Sequence, residues 1–479
     1  MVSTSNAKKK MSLQKKHNLI GWAFLIPASL LIFVFCFYPM FQAILLSFKK
    51  GMGEAQTWAG IANYSRILKE ELVPAMGCTE PISIAYAAAV ARETLGCPAE
   101  RIALEVSGNI IKNVKSVTVP NTGGLRGIPA AAAAGMAAGD AQKQLEVISS
   151  VTPEQQERIR DYLLHTPIEV KLSRSPFLFD ILLTAFSGTD RATVRIVNYH
   201  TNIVLIEKNG TALRQVDARV SREEGLTDKS VLSVEGILEF SDTVPLGEIE
   251  EPISRQISYN TRIAEEGLRG NWGANIGQVL LAAYGDDVKI RAKAMAAAGS
   301  DARMNGCRLP VVIVSGSGNQ GMTASLPVIE YAKELGVSRE KLYRALALSN
   351  LLTIHLKSEI GRLSAYCGAV SAGCGSGAAI AYLYGGGYRE ISHTLVNALA
   401  IVSGIVCDGA KASCAAKIAS AVDAGILGYH MYREGQQFRA GDGIVSKGVE
   451  RTIQNVGLLA KEGMRETDRE ILDIMLTRC

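Results

Sequence analysis

The sequence predicts an α+β chain in three parts: one N-terminal transmembrane helix, a mixed α/β portion, and a mostly helical Gly/Ala-rich portion that carries the chemistry. Three observations predict it. Of 479 residues 48% are hydrophobic but only 6% aromatic, with 46 Gly and 14 Pro, which suits large cores of closely packed helices rather than a β-sandwich. Residues 18–48 contain no Asp, Glu, Lys or Arg. Beyond them, β-branched runs gather before residue 240 and Gly-punctuated helical patterns after it. Charge excludes one class of partner. The net charge is +5, but five lysines precede residue 18 and leave 46 basic against 46 acidic residues, so a nucleic-acid surface is not indicated. Nine cysteines in a chain this long do not make a disulfide scaffold; they matter as ligands, nucleophile or base.

The first part is residues 1–69. A charge-free run of 31 residues is long enough to cross a bilayer, and Pro27 and Pro39 are tolerated better in a spanning helix than in a soluble one. Lysines flank the run on both sides, which does not fit an ordinary signal peptide. From KKHNLIGWAFLIPASLLIFVFCFYPM through LLSFKK to WAGIANYSRILKE, this segment resembles the N-terminus of a sugar-type ABC-transporter permease subunit. No second such run follows, so the chain is not a working permease. The head implies membrane association through residues 18–48. The excess of positive charge before the run favours a cytoplasmic N-terminus, which would turn the body outward.

The second part, 70–254, begins with Ala-rich helical stretches around IALEV and SVTVP. Strand-like runs follow: IEVKL, ATVRIVNY, NIVLIEKNG and VLSVEGILEF, with a hairpin turn at His200–Thr201. TVPLGEIEEP (243–252) reads as an acidic, Pro-containing linker. The third part, 255–479, reads as helices with no convincing strand beyond PVVIVSG.

The candidate chemistry is carried by cysteines and two polar loops. Cys367 and Cys374 lie seven apart, as do Cys407 and Cys414. Neither pair has zinc-ribbon spacing and His is scarce nearby, so an all-thiolate set points toward an iron–sulfur cluster. Seven residues of straight helix rise about 10 Å, too far for two ligands of one compact cluster. Cys407 is therefore expected in a turn and Cys414 a little over a turn inside a helix starting near Ala410. Buried small hydrophobes are the alternative reading, and spacing does not choose three ligands from four. Cys78 precedes Thr79, Glu80 and Pro81, a helix-start pattern in which the dipole would lower a thiol's pKa; an inert turn cysteine is the alternative. SGNIIKN running toward VPNTGGLRG, and SGSGNQGMTAS (315–325), offer N–H groups and small hydroxyls for an anion, without matching a nucleotide fingerprint. Lys357 is a candidate partner for a carboxylate, and His355 reads as a core histidine.

Taken together, GCTEPISIAYAAA, SGNIIKNVKSVTVPNTGGLRG, NYHTNIV, SGSGNQGMTASLPV, SEIGRLSAYCGAVSAGCGSG and IVCDGAKASCAAKIASA resemble the L-cysteine desulfidase family, whose helical part is related to the α-chain of iron–sulfur L-serine dehydratases. The resemblance runs from about Glu70 to the C-terminus. It implies a [4Fe–4S] cluster held by Cys367, Cys407 and Cys414, a catalytic base at Cys78, and Cys374 outside the ligand set. The implied reaction is α,β-elimination of L-cysteine to sulfide, ammonia and pyruvate. Motif position and chemistry, rather than the resemblance, make Ser317, Asn319 and Lys357 the candidates for holding the carboxylate or amine. L-serine dehydratase is the nearest alternative, a PLP lyase a more distant one, and a membrane transport component the alternative of a different class. The body is of a cytoplasmic type, a homo-oligomer is compatible with it, and the permease-like head reads as a fusion joined near NYSRILKE–ELVPA.

Overall fold

The computed structural model describes residues 62–218, 226–361 and 363–477, together with Trp22, Leu25, Ile26 and residues 32–38, 49–50 and 57–58. It divides into two units, Met1–Asn63 and Tyr64–Cys479. In the first unit a π-helical turn spans Phe33–Phe37, and Lys49–Lys50 pairs antiparallel with Thr57–Trp58. Among the described residues no helix is long and apolar enough to cross a membrane. The transmembrane helix expected over 18–48 is thus without support, and most of that run lies outside the described residues.

The second unit opens with α1 (Ala62–Glu71), β1 (Pro74–Met76), α2 (Thr79–Leu95), β2 (Arg101–Val106), α3 (Gly108–Val114), α4 (Gly127–Ala138) and α5 (Pro153–His165). Then come β3 (Ile168–Leu172), β4 (Asp180–Ser187), β5 (Asp190–Val197), β6 (Ile203–Lys208) and β7 (Thr211–Gln215). These strands form a six-stranded sheet in the order β3-β2-β4-β5-β6-β7, antiparallel except for the β2–β3 pair. Alternation drives it: Ile102 and Leu104, Ile181 and Leu183, and Val194 and Ile196 are buried, and α2 covers β4 and β5. The β5–β6 hairpin expected around His200–Thr201 is present. A methyl on Gly135 of α4 would stand 2.0 Å from the carbonyl oxygen of Ala85, so this glycine lets α4 lie backbone-to-backbone on α2.

The helical portion comprises α6 (Val234–Thr243), α7 (Leu246–Arg269), α8 (Ile276–Tyr284), α9 (Val288–Met304), a short β8 (Pro310–Val312), α10 (Gly318–Leu335) and α11 (Arg339–Ile360). It continues with α12 (Gly368–Leu383), α13 (Tyr388–Val402), α14 (Cys414–Arg433), α15 (Val449–Leu458) and α16 (Arg465–Thr477). Two expectations are corrected here. VLSVEGILEF is not a strand: Ser233 accepts the N–H of Gly236 as an N-cap, and Val234, Ile237, Phe240 and Ser241 make the buried face of α6. The segment 243–252 is not a linker, because α7 starts at Leu246. Its buried residues Ile249, Ile253, Gln256, Asn260, Ile263 and Gly267 keep helical spacing through Pro252.

Residues 64–479 form one compact unit, so packing does not break at 254/255. β8 of the helical portion pairs antiparallel with β1, Val311 opposite Ala75. Tyr64 of α1 stacks on Phe240 of α6, 5.3 Å between ring centroids, and donates its hydroxyl to the carbonyl of Val231.

Candidate functional site

The β1–β8 pairing sets the site, because the chain leaves both strands toward the N-terminus of a helix. After β1, Gly77 (φ 54°) turns the backbone and Cys78 becomes the N-cap of α2. After β8, Ser315 (φ 48°) and Gly316 (φ 78°) make a left-handed turn and Ser317 becomes the N-cap of α10. The Thr79 hydroxyl donates to the Gly316 carbonyl at 2.9 Å and so ties the GCTEP and SGSGNQG segments together.

A second pair of helix starts carries the other cysteines. Methyls on Gly373 and Gly377 of α12 would stand 2.4 and 2.5 Å from the carbonyl oxygens of Ala421 and Gly425 of α14. The contacting positions advance together, so the two helices run parallel and begin side by side. Cys367 is the N-cap of α12 and Cys414 the first residue of α14. Cys407 is drawn in by an antiparallel bridge: its N–H donates to Ala365 O at 2.6 Å, and Cys367 N–H donates to Ile405 O at 3.1 Å. The helix expected to start near Ala410 starts instead at Cys414, because Gly409 (φ 95°) holds the preceding turn open. There is no room for a side chain at Gly409: a methyl would lie 2.2 Å from Lys112 O of α3.

All of these converge. A cavity of about 110 Å³ is lined by Cys78, Ser317, Asn319, Lys357, Cys367, Cys407 and Cys414, every site residue expected from the sequence. A larger hollow of about 790 Å³, near Glu70, Gln144 and Arg214, holds none of them. Cys374 is fully buried within α12 and does not line the cavity. Residues not singled out from the sequence also line it: Glu80, Asn109, Lys112, Arg303, Gln320 and Tyr366. Only the two polar loop motifs signalled Asn109, Lys112 and Gln320; nothing in its local pattern marked Arg303.

Electrostatics separates the thiols. Cys78 is 2% exposed and its Sγ donates to Glu80 Oε2 at 3.0 Å. Burial pushes this thiol well above its usual range, the Glu80 charge adds to the rise, and Arg303 opposes it. This corrects the expected lowering by the helix dipole. Burial works against the charge of Glu80, but its surroundings, His200 and the Cys78 hydrogen bond foremost, keep its carboxyl below the ordinary value. Asn113 Nδ2 donates to it at 3.0 Å. Burial likewise raises Cys367, to about 12 with neighbouring Cys407 contributing, and it raises Cys414. Close by, the Asp408 carboxylate pairs with Lys411 and Lys417, which hold it down to about 2 against the effect of burial. Cys414 packs against the cluster of Cys78, Val117 and Met304, which brings the two groups of thiols together. Lys357 is buried on the last turn of α11, and Lys112 is buried and ion-paired with Asp468. Among the described residues no three His, Cys, Asp or Glu side chains stand close enough to hold a single metal ion.

The family model for the serine dehydratase α-chain matches residues 142–473. A UPF0597 protein of Desulfitobacterium hafniense (strain Y51) is 64% identical over 419 residues, which are 87% of this chain and 97% of that protein. UPF0597 proteins of Lachnoclostridium phytofermentans and Treponema denticola are 55% and 48% identical, over 86% of this chain and 98% and 97% of theirs. Nothing in these matches supports the permease-like reading of residues 1–69, membrane association or a homo-oligomer. The cysteine loops of the helical portion and the SGSGNQG turn fall inside the matched family model, Cys78 falls before it, and the chain belongs to the serine dehydratase α-chain family, in company with the UPF0597 proteins.

Proposed function

We propose that the protein is a lyase performing α,β-elimination on a small amino acid, with L-cysteine as substrate and sulfide, ammonia and pyruvate as products. One observation carries the reading: a single cavity gathers a lone thiol from the α/β portion, three thiols from the helical portion, and the polar N-terminus of α10.

The donor set fits a [4Fe–4S] cluster. Cys367, Cys407 and Cys414 line one cavity and lie close enough to feel one another's charge, an all-thiolate set of the kind that holds iron–sulfur clusters. Asp408, the carboxylate next to Cys407 in the chain, is engaged by two lysines. Held by these three cysteines, such a cluster would supply a Lewis-acidic iron without a protein sulfur ligand. The rest falls to the chain's own side chains. Cys78 removes the α-proton of the substrate once its own proton has passed to Glu80, the carboxylate hydrogen-bonded to its sulfur, a transfer that is uphill at rest because the thiol is raised and Glu80 is held low. Ser317, Asn319 and Lys357 orient the amino acid. The buried surroundings exclude water until the sulfur leaves; the enamine left behind tautomerises and hydrolyses to pyruvate and ammonia.

L-serine is the second reading, favoured by the family description itself, because the same arrangement would release a hydroxyl group. Anaerobic purification with iron and sulfide analysis, followed by side-by-side turnover of the two amino acids, tests both. Pyruvate and sulfide from L-cysteine at the higher kcat/KM supports the proposal. Preference for L-serine replaces the substrate, and iron-replete protein that turns over neither overturns the reaction.

A further inference from the structure

Four buried polar atoms that have no hydrogen-bond partner among the described residues line the cavity: Arg303 Nε, Asn109 Oδ1, Gln320 Oε1 and Tyr366 Oη. A folded chain rarely leaves such atoms unpaired, and their clustering at one hollow points to a polar ligand that completes them. Arg303 is the most demanding. It is 2% exposed, near the end of α9, and no carboxylate lies within ion-pair distance of it among the described residues. Its one hydrogen bond there is Nη1 to Asn319 Oδ1 at 3.0 Å. The Glu80 carboxylate of the same cavity acts on it only through space, without an ion pair; a buried guanidinium with no paired anion is costly, and its planar fork matches a carboxylate.

Gly318, the first residue of α10, packs against the guanidinium: a methyl there would stand 2.3 Å from Nε, so only glycine at this position leaves Arg303 its place. Asn319 holds Nη1, and the Nε side of the guanidinium is the part without a partner. On the other wall, Gln320 lies against the Cys367–Gly368 corner: a methyl on Gly368 would be 2.8 Å from its Cδ. Gln320 Oε1 and Asn109 Oδ1 are acceptors only, the complement of an ammonium group.

We infer that Arg303 is the anchor for the α-carboxylate of the substrate and that Asn109 and Gln320 accept hydrogen bonds from its ammonium group. The inference rests on the proposed amino-acid elimination and gives the site its selectivity: a free α-amino acid, neither an amide, an ester nor a peptide-linked residue. Asn319 then acts as the positioning residue for Arg303, and Lys357 is left to the leaving-group side of the substrate.

The test uses the iron-replete full chain. Arg303→Gln should keep its iron and raise KM for L-cysteine about 10²-fold, with a much smaller fall in kcat. The preference of the wild type for L-cysteine over L-cysteinamide should shrink to within a few-fold. Calorimetric binding of L-alanine, which has no leaving group, gives a readout independent of turnover: the wild type should bind it, and Arg303→Gln should bind it about 10²-fold more weakly. Should Arg303→Gln fail to fold, Arg303→Lys carries the test, with KM raised about tenfold and the preference over the amide reduced. Loss of iron in either folded variant, L-alanine binding within threefold of wild type in Arg303→Gln, or an unaltered acid-to-amide preference would overturn the anchor. L-alanine binding that depends on Arg303, in a protein that eliminates neither L-cysteine nor L-serine, would uphold the anchor and sink the elimination.

Discussion

The two walls of the cavity use the same local device in opposite surroundings. Cys78 caps α2, Cys367 caps α12 and Cys414 opens α14, so all three thiols sit at helix N-termini. Cys78 is hydrogen-bonded to the Glu80 carboxylate, whereas Cys367 and Cys407 lie within the influence of the Lys417 ammonium. A helix N-terminus is worth about 0.3–1 kcal/mol to a surface anion, less than one pKa unit, whereas burial moves a pKa by several. Position at a helix start therefore does not make a thiolate here. The Lys417 wall suits sulfurs that carry negative charge permanently. The Glu80 wall suits a sulfur that holds a proton at rest and exchanges it.

The largest effect should come from the lysine-side wall. Cys367→Ala, Cys407→Ala and Cys414→Ala are each expected to lose bound iron and essentially all activity together, because a cubane missing one protein thiolate is easily lost. Cys374→Ala should keep both, being buried in α12 away from the cavity. Iron retained in Cys407→Ala but lost in Cys374→Ala would erase the contrast between the walls.

On the opposite wall the loss should be confined to turnover. Cys78→Ala is expected to retain full iron and its visible absorption while kcat falls by ~10²–10⁴-fold, the usual range for a missing general base. Cys78→Ser should be nearly as slow. Loss of iron would make Cys78 a ligand, and near-wild-type turnover would pass the role of base to Lys357. Glu80→Gln should be milder, about tenfold to a hundredfold in kcat with iron unchanged, since it removes the proton acceptor but leaves the sulfur in place. An equal or larger loss than in Cys78→Ala would make Glu80 itself the base.

How much of this was legible in the sequence depended on whether the signal was local. The start of α2 was written in Cys-Thr-Glu-Pro, and the β5–β6 hairpin in two alternating runs about a short polar turn. β4 was missed, although FLFDILLTAFSG is a central run of the packed sheet, third from one edge, because a continuous apolar stretch has no period of two. α6 and α7 were misread because β-branched residues and prolines outweighed helical spacing that was nonetheless present in Ile249, Ile253, Gln256 and Asn260. At the site, cysteines and glycines advertised themselves by type. Arg303 did not: an arginine near the end of a helix usually points to water, and only the joining of β1 to β8 and α10 encloses this one. The raised Cys78 pKa was illegible for the same reason, since burial is a property of the assembled fold.

The smallest effect concerns stability and extends the comparison to a second acidic residue. Asp301, two residues before Arg303 on α9, is fully buried and accepts the N–H groups of Ile276 and Ala274 at 2.7 and 3.4 Å. No cation pairs with it among the described residues, and burial pushes its carboxyl up to about 6, whereas Glu80 is held low. The folded state therefore binds more protons at this residue than the unfolded chain does between pH ~4 and ~6. Its contribution is full below pH ~4 and is lost as pH rises through about 6, which amounts to at most ~3 kcal/mol. Urea unfolding of wild type and Asp301→Asn across pH 4.5–7.5 measures it. The stability of wild type relative to the variant should decline as pH rises through that window and then level off, with turnover at pH 7.5 similar in the two. A difference independent of pH would mean that the backbone N–H groups of the α8 start hold Asp301 ionised throughout, and that it resembles Glu80 after all.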